Sequence, residues 1–93
     1  MRRYELMVVY PLEEDQYQAG REQIAADLAA QGVEIVKAED PVDRDLAYEV
    51  KKRRRARYML YILRADPAKI TVLDRVFKLN ANILKYLFVR VDE

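Results

Sequence analysis

The sequence predicts an α+β sandwich, with one antiparallel sheet and two helices packed on the same face of it. Segments with strand-like alternation and segments with helical spacing follow one another in the order β-α-β-β-α-β. This order folds naturally into four antiparallel strands in the spatial order 4-1-3-2, the ferredoxin-like arrangement. With 93 residues, of which 52% are hydrophobic, the chain suits a single domain, residues 1–93, with one core.

The first strand and the first helix are marked by their patterns and by their stop signals. Residues 3–10 alternate, with the apolar set on one face, and Pro11 ends the strand. Three consecutive acidic residues then favour a helix start, because they complement the positive pole of a helix over 14–30. Gly20 is expected to allow close approach to the sheet, and Gly32 suits the left-handed position that ends a helix.

The second and third strands form the middle of the chain. Residues 33–50 are interpreted as one long second strand, kinked by the polar segment 39–43. Residues 58–64 are the third strand. They are apolar on both faces, which predicts a central position in the sheet.

The second helix has a strong start signal, and the last strand follows it closely. Asp66 is a suitable N-cap, and Pro67 suits the first helical position. The segment 80–82 closes this helix and turns the chain. Residues 83–91 then form the fourth strand, with Leu84 on the same face as the aromatic residues that follow it.

The chain is organised around a predicted hairpin, residues 44–61. Six of the seven residues from 51 to 57 are basic, and such a run at a hairpin tip is stabilised by a polyanion. We therefore hypothesise that this hairpin holds RNA backbone. An ordinary solvated hairpin end explains the run equally well.

The small net charge of +1 conceals a strong asymmetry between the two halves. Residues 1–46 hold five Lys/Arg and eleven Asp/Glu, a balance of −6, whereas residues 47–93 hold twelve and five, a balance of +7. One basic and one acidic region suggest two partners, or one composite partner.

Missing residue types argue against catalysis. The chain has no His, Cys, Ser or Trp, so the usual nucleophiles and the side chain that titrates near neutrality are lacking, and transition-metal ligands reduce to carboxylates. The acidic segment after the first strand would repel phosphate, which argues against a ferredoxin-like phosphatase. We expect no enzymatic activity, no cofactor, no metal and no small-molecule substrate.

No apolar run is long enough to span a membrane, so no membrane partner is expected. The pattern at 55–61 lacks the glycine and the aromatic residues of an RNA-recognition motif.

Taken in order, several short motifs resemble one known family. They are the opening Met1 to Glu5, the stretch Arg44-x-Leu46-Ala47-Tyr48-x-Val50-x-Lys52 with Ala56-x-Tyr58, then Phe77-x-x-Asn80, and Val89-Arg90. This ordered set resembles the family of bacterial small-subunit ribosomal protein number six, from Met1 to about Val91. Two departures are that Pro41-Val42-Asp43 stands where the family usually has a glycine, and that Glu49 stands where it commonly has a proline.

The resemblance implies a cytoplasmic, non-enzymatic ribosomal protein. It implies binding to 16S ribosomal RNA in the central domain of the small subunit, and a heterodimer with the small, basic small-subunit ribosomal protein number eighteen. By position it implies RNA contact at Arg2, Arg3, Arg44, Tyr48, Lys52, Lys78, Asn82, Lys85 and Arg90. Charge alone adds Arg53, Arg54, Arg55 and Arg57 to this set. The alternative is a small regulatory or dimerising ferredoxin-like domain without an RNA ligand.

Overall fold

The computed structural model describes residues 1–91, which form five strands and two helices. These elements are β1 (Arg2–Tyr10), α1 (Glu14–Ala30), β2 (Glu34–Ala38), β3 (Val42–Val50), β4 (Arg53–Ala65), α2 (Pro67–Lys78) and β5 (Lys85–Val91). The strands pair antiparallel in the order β2-β4-β1-β5, and β3 also pairs with β4. Both helices pack on one face, as predicted, and the opposite face is called the open face below.

The predicted second strand is in fact two strands, so the sheet has five strands rather than four. β2 pairs with the second half of β4 and β3 with its first half, so the two follow each other along one edge. Between them, the Glu39 amide still donates to the Leu60 carbonyl at 2.9 Å. Pro41 interrupts the pairing because it has no N–H to donate. When β2 and β3 are counted as one kinked strand, the predicted order 4-1-3-2 is confirmed.

The basic run lies mostly within a strand, which corrects the predicted hairpin tip and the predicted third strand at 58–64. The turn consists only of Lys51 and Lys52, with φ of 49° and 66°, and Val50 pairs with Arg53 across it. β4 therefore begins at residue 53. Neighbouring arginines can follow one another in β4 because a strand directs successive side chains to opposite faces, which separates their charges. In addition, β3 places an acidic residue opposite two of the arginines. β4 is central, as predicted.

The main core lies between the helices and the sheet. It contains the predicted alternate face of β1, joined by α1, α2 and β4; the largest fully buried side chains are Tyr10, Phe77, Leu6, Ile24, Leu28, Leu63, Leu73 and Val8. The buried hydroxyls of Tyr10 and Tyr61 lie 2.6 Å apart and satisfy each other. Burial raises the pKa of both phenols, so both are neutral.

The helix boundaries follow their sequence signals. α1 runs over the predicted residues 14–30 and ends with Gly32 at φ 68°, while the Val33 amide bonds the Leu28 carbonyl at 3.0 Å. Asp66 caps α2 by accepting from the Ala68 amide at 3.0 Å, as predicted. Among residues 1–91, no helix is both long and apolar enough to cross a membrane.

A second, smaller apolar cluster lies on the open face beside the hairpin. Val9, Ala56 and Leu84 are buried there, and Leu46, Val50 and Tyr58 cover them. β3 can reach over this cluster because residues 46–49 bulge out opposite Arg54 alone. The last strand starts at Lys85 rather than at residue 83, and just before it the Leu84 amide donates to the Val9 carbonyl at 2.7 Å. Leu84 thus lies in the open-face cluster and not with the aromatic residues of β5, contrary to expectation.

Candidate nucleic-acid interface

Tyr48 and Lys85 form an exposed pair on the open face. The bulge in β3 carries Tyr48 toward the first residue of β5, where the Lys85 ammonium donates a 2.8 Å hydrogen bond to its hydroxyl. The ammonium also lies 5.1 Å from the centre of the Tyr48 ring. This hydrogen bond raises the pKa of Lys85 and lowers the pKa of Tyr48. Lys85 therefore carries its charge at neutral pH beside an accessible aromatic ring.

Three further predicted residues lie on the β3–β4 hairpin that carries Tyr48, and together the five are called the hairpin site. Lys52 stands in the two-residue turn, and the Arg54 side chain is 88% exposed, with Glu49 3.9 Å away as an ion-pair partner. Arg44 is exposed further along β3, opposite Ala56. The hairpin site consists of Arg44, Tyr48, Lys52, Arg54 and Lys85.

The turn is fixed in place by a residue that the predicted set did not include. Lys51 donates from Nζ to the Ile83 carbonyl at 3.2 Å, which ties the hairpin to the loop before β5. Sequence reasoning counted Lys51 only as one charge of the run. Its left-handed backbone turns its side chain toward an internal carbonyl instead.

Arg57 has internal partners on two other elements, β3 and α1. Its guanidinium makes a bidentate pair with Asp43 at 2.7 and 3.2 Å and lies 3.6 Å from a Glu14 oxygen. It also lies 4.5 Å from the centre of the Tyr17 ring. The pair lowers the pKa of Asp43 and raises that of Arg57. With 20% of its side chain exposed, Arg57 mainly joins β3, β4 and α1.

Arg53 and Arg55 also lie on the helix side of β4 and face acids. Arg53 contacts Glu13 at 3.3 Å and donates to the Gln16 amide oxygen at 2.9 Å, with 27% of its side chain exposed. Arg55 lies 3.2 Å from Asp45, and 58% of its side chain is exposed. The acidic start of α1 thus neutralises part of the basic run. RNA contact by Arg53, Arg55 and Arg57 stays a prediction.

A second basic group stands at the opposite end of the sheet. Arg3 lies directly across from Arg64 in the β1–β4 pairing, Arg2 precedes it, and Arg90 pairs with Tyr4 on the other side of β1. Six residues of β1 separate Arg3 from Val9, which pairs with Lys85 of the hairpin site. This corresponds to about 20 Å along the strand. Sequence reasoning missed Arg64. The antiparallel register, which places it on the same face as Arg3, is the signal that identifies it.

Lys78 and Asn82, the remaining predicted residues, lie near the end of α2. Lys78 pairs with Asp74 at 3.0 Å one turn earlier in the helix. Asn82 donates from its side-chain amide to Gln23 of α1 at 3.3 Å, and its backbone amide bonds the Asn80 side chain. Asn82 therefore closes the loop against α1. RNA contact by either residue stays a prediction.

The hairpin site has the chemistry of a backbone-binding surface. It offers an ammonium donor in the turn, guanidinium forks suited to phosphate, and one exposed aromatic ring suited to a sugar or base. Within the described part of the chain, no three acidic, His or Cys side chains converge to hold a metal ion.

Comparison with known proteins identifies the family. A family model described as Ribosomal protein S6 matches residues 3–90. The chain is similar to the small ribosomal subunit protein bS6 of Treponema denticola, with 52% identity over 94 residues covering 100% of both chains. It is similar to the bS6 protein of Treponema pallidum, with 39% identity over 92 residues covering 99% of each.

The fold has a close counterpart among solved structures. The crystal structure of 30S ribosomal protein S6 from Thermotoga maritima matches with a TM-score of 0.86 and 22% identity, over 97% of this chain and 87% of that chain. This likeness confirms the ferredoxin-like fold class. The family match and the bS6 relatives confirm the expected ribosomal role and the expectation that the chain is not an enzyme. The chain therefore belongs to the ribosomal protein S6 family, whose members are structural components of the small ribosomal subunit.

Proposed function

We propose that this chain binds 16S ribosomal RNA in the central domain of the small subunit through the hairpin site. The observation that carries this proposal is the division of the basic run into two sets. Arg53 and Arg57 on the helix side are largely covered and pair with acids of α1 and β3. Arg54 is 88% exposed with a longer 3.9 Å contact to Glu49, and Lys52 is exposed in the turn. The outward set is available to phosphate oxygens, and the inward set stabilises the strand that presents it.

The second basic group extends the proposed contact. Arg3 and Arg64 share the open face and lie about 20 Å along the sheet from Val9, which pairs with Lys85 of the hairpin site, while Arg2 lies next to them on the helix side. This spacing suits two separated stretches of a folded RNA. Binding at both ends of the sheet orients the protein more firmly than binding at one end, since two fixed points define a direction.

We further propose that small-subunit ribosomal protein number eighteen docks on the open face at the kink between β2 and β3. Met7, Val42, Tyr58 and Leu60 line an apolar groove there, with a volume of about 240 Å³, and Glu39 and Asp40 stand at its rim. Val42 is 48% exposed. An apolar floor with an acidic rim complements a small basic protein, and Arg44 places the groove beside the hairpin site.

The experiment is a binding titration with a central-domain 16S RNA fragment across a salt series, with and without the partner protein. In the variant Lys52→Ala/Arg54→Ala, the log–log salt slope should fall by about 1.4 to 1.8, because each lost phosphate contact lowers it by about 0.7 to 0.9. The variant Lys69→Ala/Arg75→Ala removes the same charge from exposed positions of α2 and should leave the slope unchanged. Equal slopes in wild type and in the hairpin variant would refute the RNA contact.

The partner surface is tested in the same titration. The variant Glu39→Gln/Asp40→Asn should reduce the gain in RNA affinity that the partner provides, while binding of RNA by the chain alone stays the same. An undiminished gain would place the partner elsewhere. If neither wild type nor variants bind the RNA with or without the partner, and a homodimer forms, the regulatory-domain alternative replaces this proposal.

A further inference from the structure

β5 presents an open strand edge, of which the hairpin site includes only the side chain of its first residue, Lys85. It pairs with β1 on one side, and on its other side no strand within residues 1–91 pairs with it. The four residues from 86 to 89 are uncharged, between Lys85 and Arg90. Unpaired backbone donors and acceptors on such an edge are a template for an added strand.

A groove runs along this edge, between β5 and α2. Its volume is about 440 Å³, and it is lined by Ile70, Thr71, Asp74, Tyr86, Leu87 and Phe88. The walls are held in position by internal contacts. The Tyr86 hydroxyl lies 2.6 Å from an Asp74 carboxylate oxygen, and the Phe88 ring stacks on Phe77 with 5.6 Å between centres. The groove is therefore preformed in the free chain.

Basic residues stand at both ends of the uncharged stretch of β5, with Lys85 before it and Arg90 after it. Counted from Asp66 to Glu93, this part of the sequence holds five Lys/Arg and four Asp/Glu, a balance of +1. The hydrogen bond from Tyr86 and the contact with Lys78 lower the pKa of Asp74, so its charge is present but already paired within the chain. Arg75 is a further exposed cation on α2.

We propose that the β5 edge and this groove bind an extended, acidic segment of another protein, which adds to the sheet as a sixth strand. Every second side chain of the segment would enter the groove above Ile70. The others would lie along Leu87 and Val89, which are 61% and 47% exposed on the open face. Acidic residues at the ends of the segment complement the basic rim.

Two other occupants are disfavoured by the same observations. RNA would use the positive charge, but it has no backbone that pairs with a strand edge, and exposed Leu87 and Val89 do not serve phosphate recognition. In an antiparallel pairing of β5 with a second copy, Lys85 of one copy would lie opposite Arg90 of the other, and like charges across strands oppose edge-to-edge pairing. The acidic extended segment satisfies the strand edge, the apolar groove and the charge together. This proposal does not depend on the RNA role proposed above.

The test uses the full chain and a blocked octapeptide with a central Val-Ile-Val-Ile sequence and two Glu residues at each end. Amide chemical shifts should change along β5 and at positions 70–74, and hydrogen exchange of the outward β5 amides should slow. The variant Leu87→Glu should weaken binding about tenfold, because it removes an apolar contact and adds a like charge. The control Leu79→Glu changes an equally apolar side chain, 87% exposed at the end of α2, and should bind like wild type.

Three results would overturn the proposal. Equal binding of an octapeptide with Lys in place of Glu would remove the charge argument. Shift changes of the same β5 amides with a short single-stranded RNA, at equal or lower concentration, would assign the edge to nucleic acid. Concentration-dependent dimerisation with slowed β5 exchange in the absence of peptide would assign it to a second copy. The salt series described above is independent of all three, so each proposal fails separately.

Discussion

Replacing Gly20 by Ala sets two effects of opposite sign against each other. In the interior of a helix, Ala is more favourable than Gly by about 1 kcal/mol. A methyl group at position 20 would, however, lie 2.5 Å from the Asn82 carbonyl oxygen and 3.2 Å from the Tyr10 ring. The carbonyl belongs to a loop whose retreat is opposed by hydrogen bonds from Lys51 to Ile83 and from Leu84 to Val9. Overpacking against a fixed backbone costs about 1–3 kcal/mol, and this rigid case belongs near the upper value.

The net expectation for Gly20→Ala is a loss of about 2 kcal/mol in the free energy of unfolding, or about 10 °C in Tm. Urea titration at pH 7 measures it. Ala26→Gly, at an exposed position of the same helix, is the matched control and should lose about 1 kcal/mol from propensity alone. The sum of the two measured losses isolates the cost of the contact, because helix propensity favours Gly20→Ala and disfavours Ala26→Gly by about the same amount. A Gly20→Ala variant more stable than wild type would refute the reasoning, because the loop would then yield freely.

Three further predictions concern stability. Tyr10→Phe should cost about 1–3 kcal/mol, because it leaves the buried Tyr61 hydroxyl without a partner, and the double variant with Tyr61→Phe should regain part of that loss in a urea double-mutant cycle. Arg57 lowers the pKa of Asp43. The stability that the charged Asp43 contributes is therefore fully present above the unfolded-state pKa of about 3.9 and is lost as pH falls through the lower folded-state pKa. Asp43→Asn should lower the Tm at pH 7, and the difference in Tm between the variant and wild type should be smaller at pH 3; thermal melts at both pH values measure this. Asp66→Ala should lower stability by about 1 kcal/mol through loss of the α2 cap, measured by urea unfolding.

Local signals were sufficient to predict the two helices and the approximate positions of the strands, but not the number of strands or where each begins. The acids before α1, Gly32 after it and the Asp66–Pro67 start of α2 determine backbone hydrogen bonding within a few residues, so the helix ends were predictable. The strand order followed from connectivity alone. The break at Pro41 was visible as a kink. Its consequence, a division of the edge into two strands, depends on pairing with β4, which no local pattern encodes.

The candidate site was less predictable, because charge in a sequence does not show where a side chain finds its partner. Arg54 and Arg57 both belong to the same basic run. One extends into solvent, while the other lies among Asp43, Glu14 and Tyr17. Their difference depends on strand direction and on the distant start of α1. The position of the turn determines which face of the sheet each basic side chain occupies. Because residues 51–55 are all basic, nothing in the sequence indicated where the turn lies.

Two lysines at the hairpin turn hold left-handed backbone conformations that favour glycine or asparagine. A side chain there costs about 1–2 kcal/mol of backbone energy, so the chain keeps positive charge at the expense of stability. Lys52→Gly would relax the turn and remove a cation of the hairpin site at the same time. Selection of the isolated protein for heat resistance would therefore favour glycine at this position. Under the proposed RNA contact of Lys52, a screen for stability and a screen for RNA binding would rank the same substitution in opposite directions.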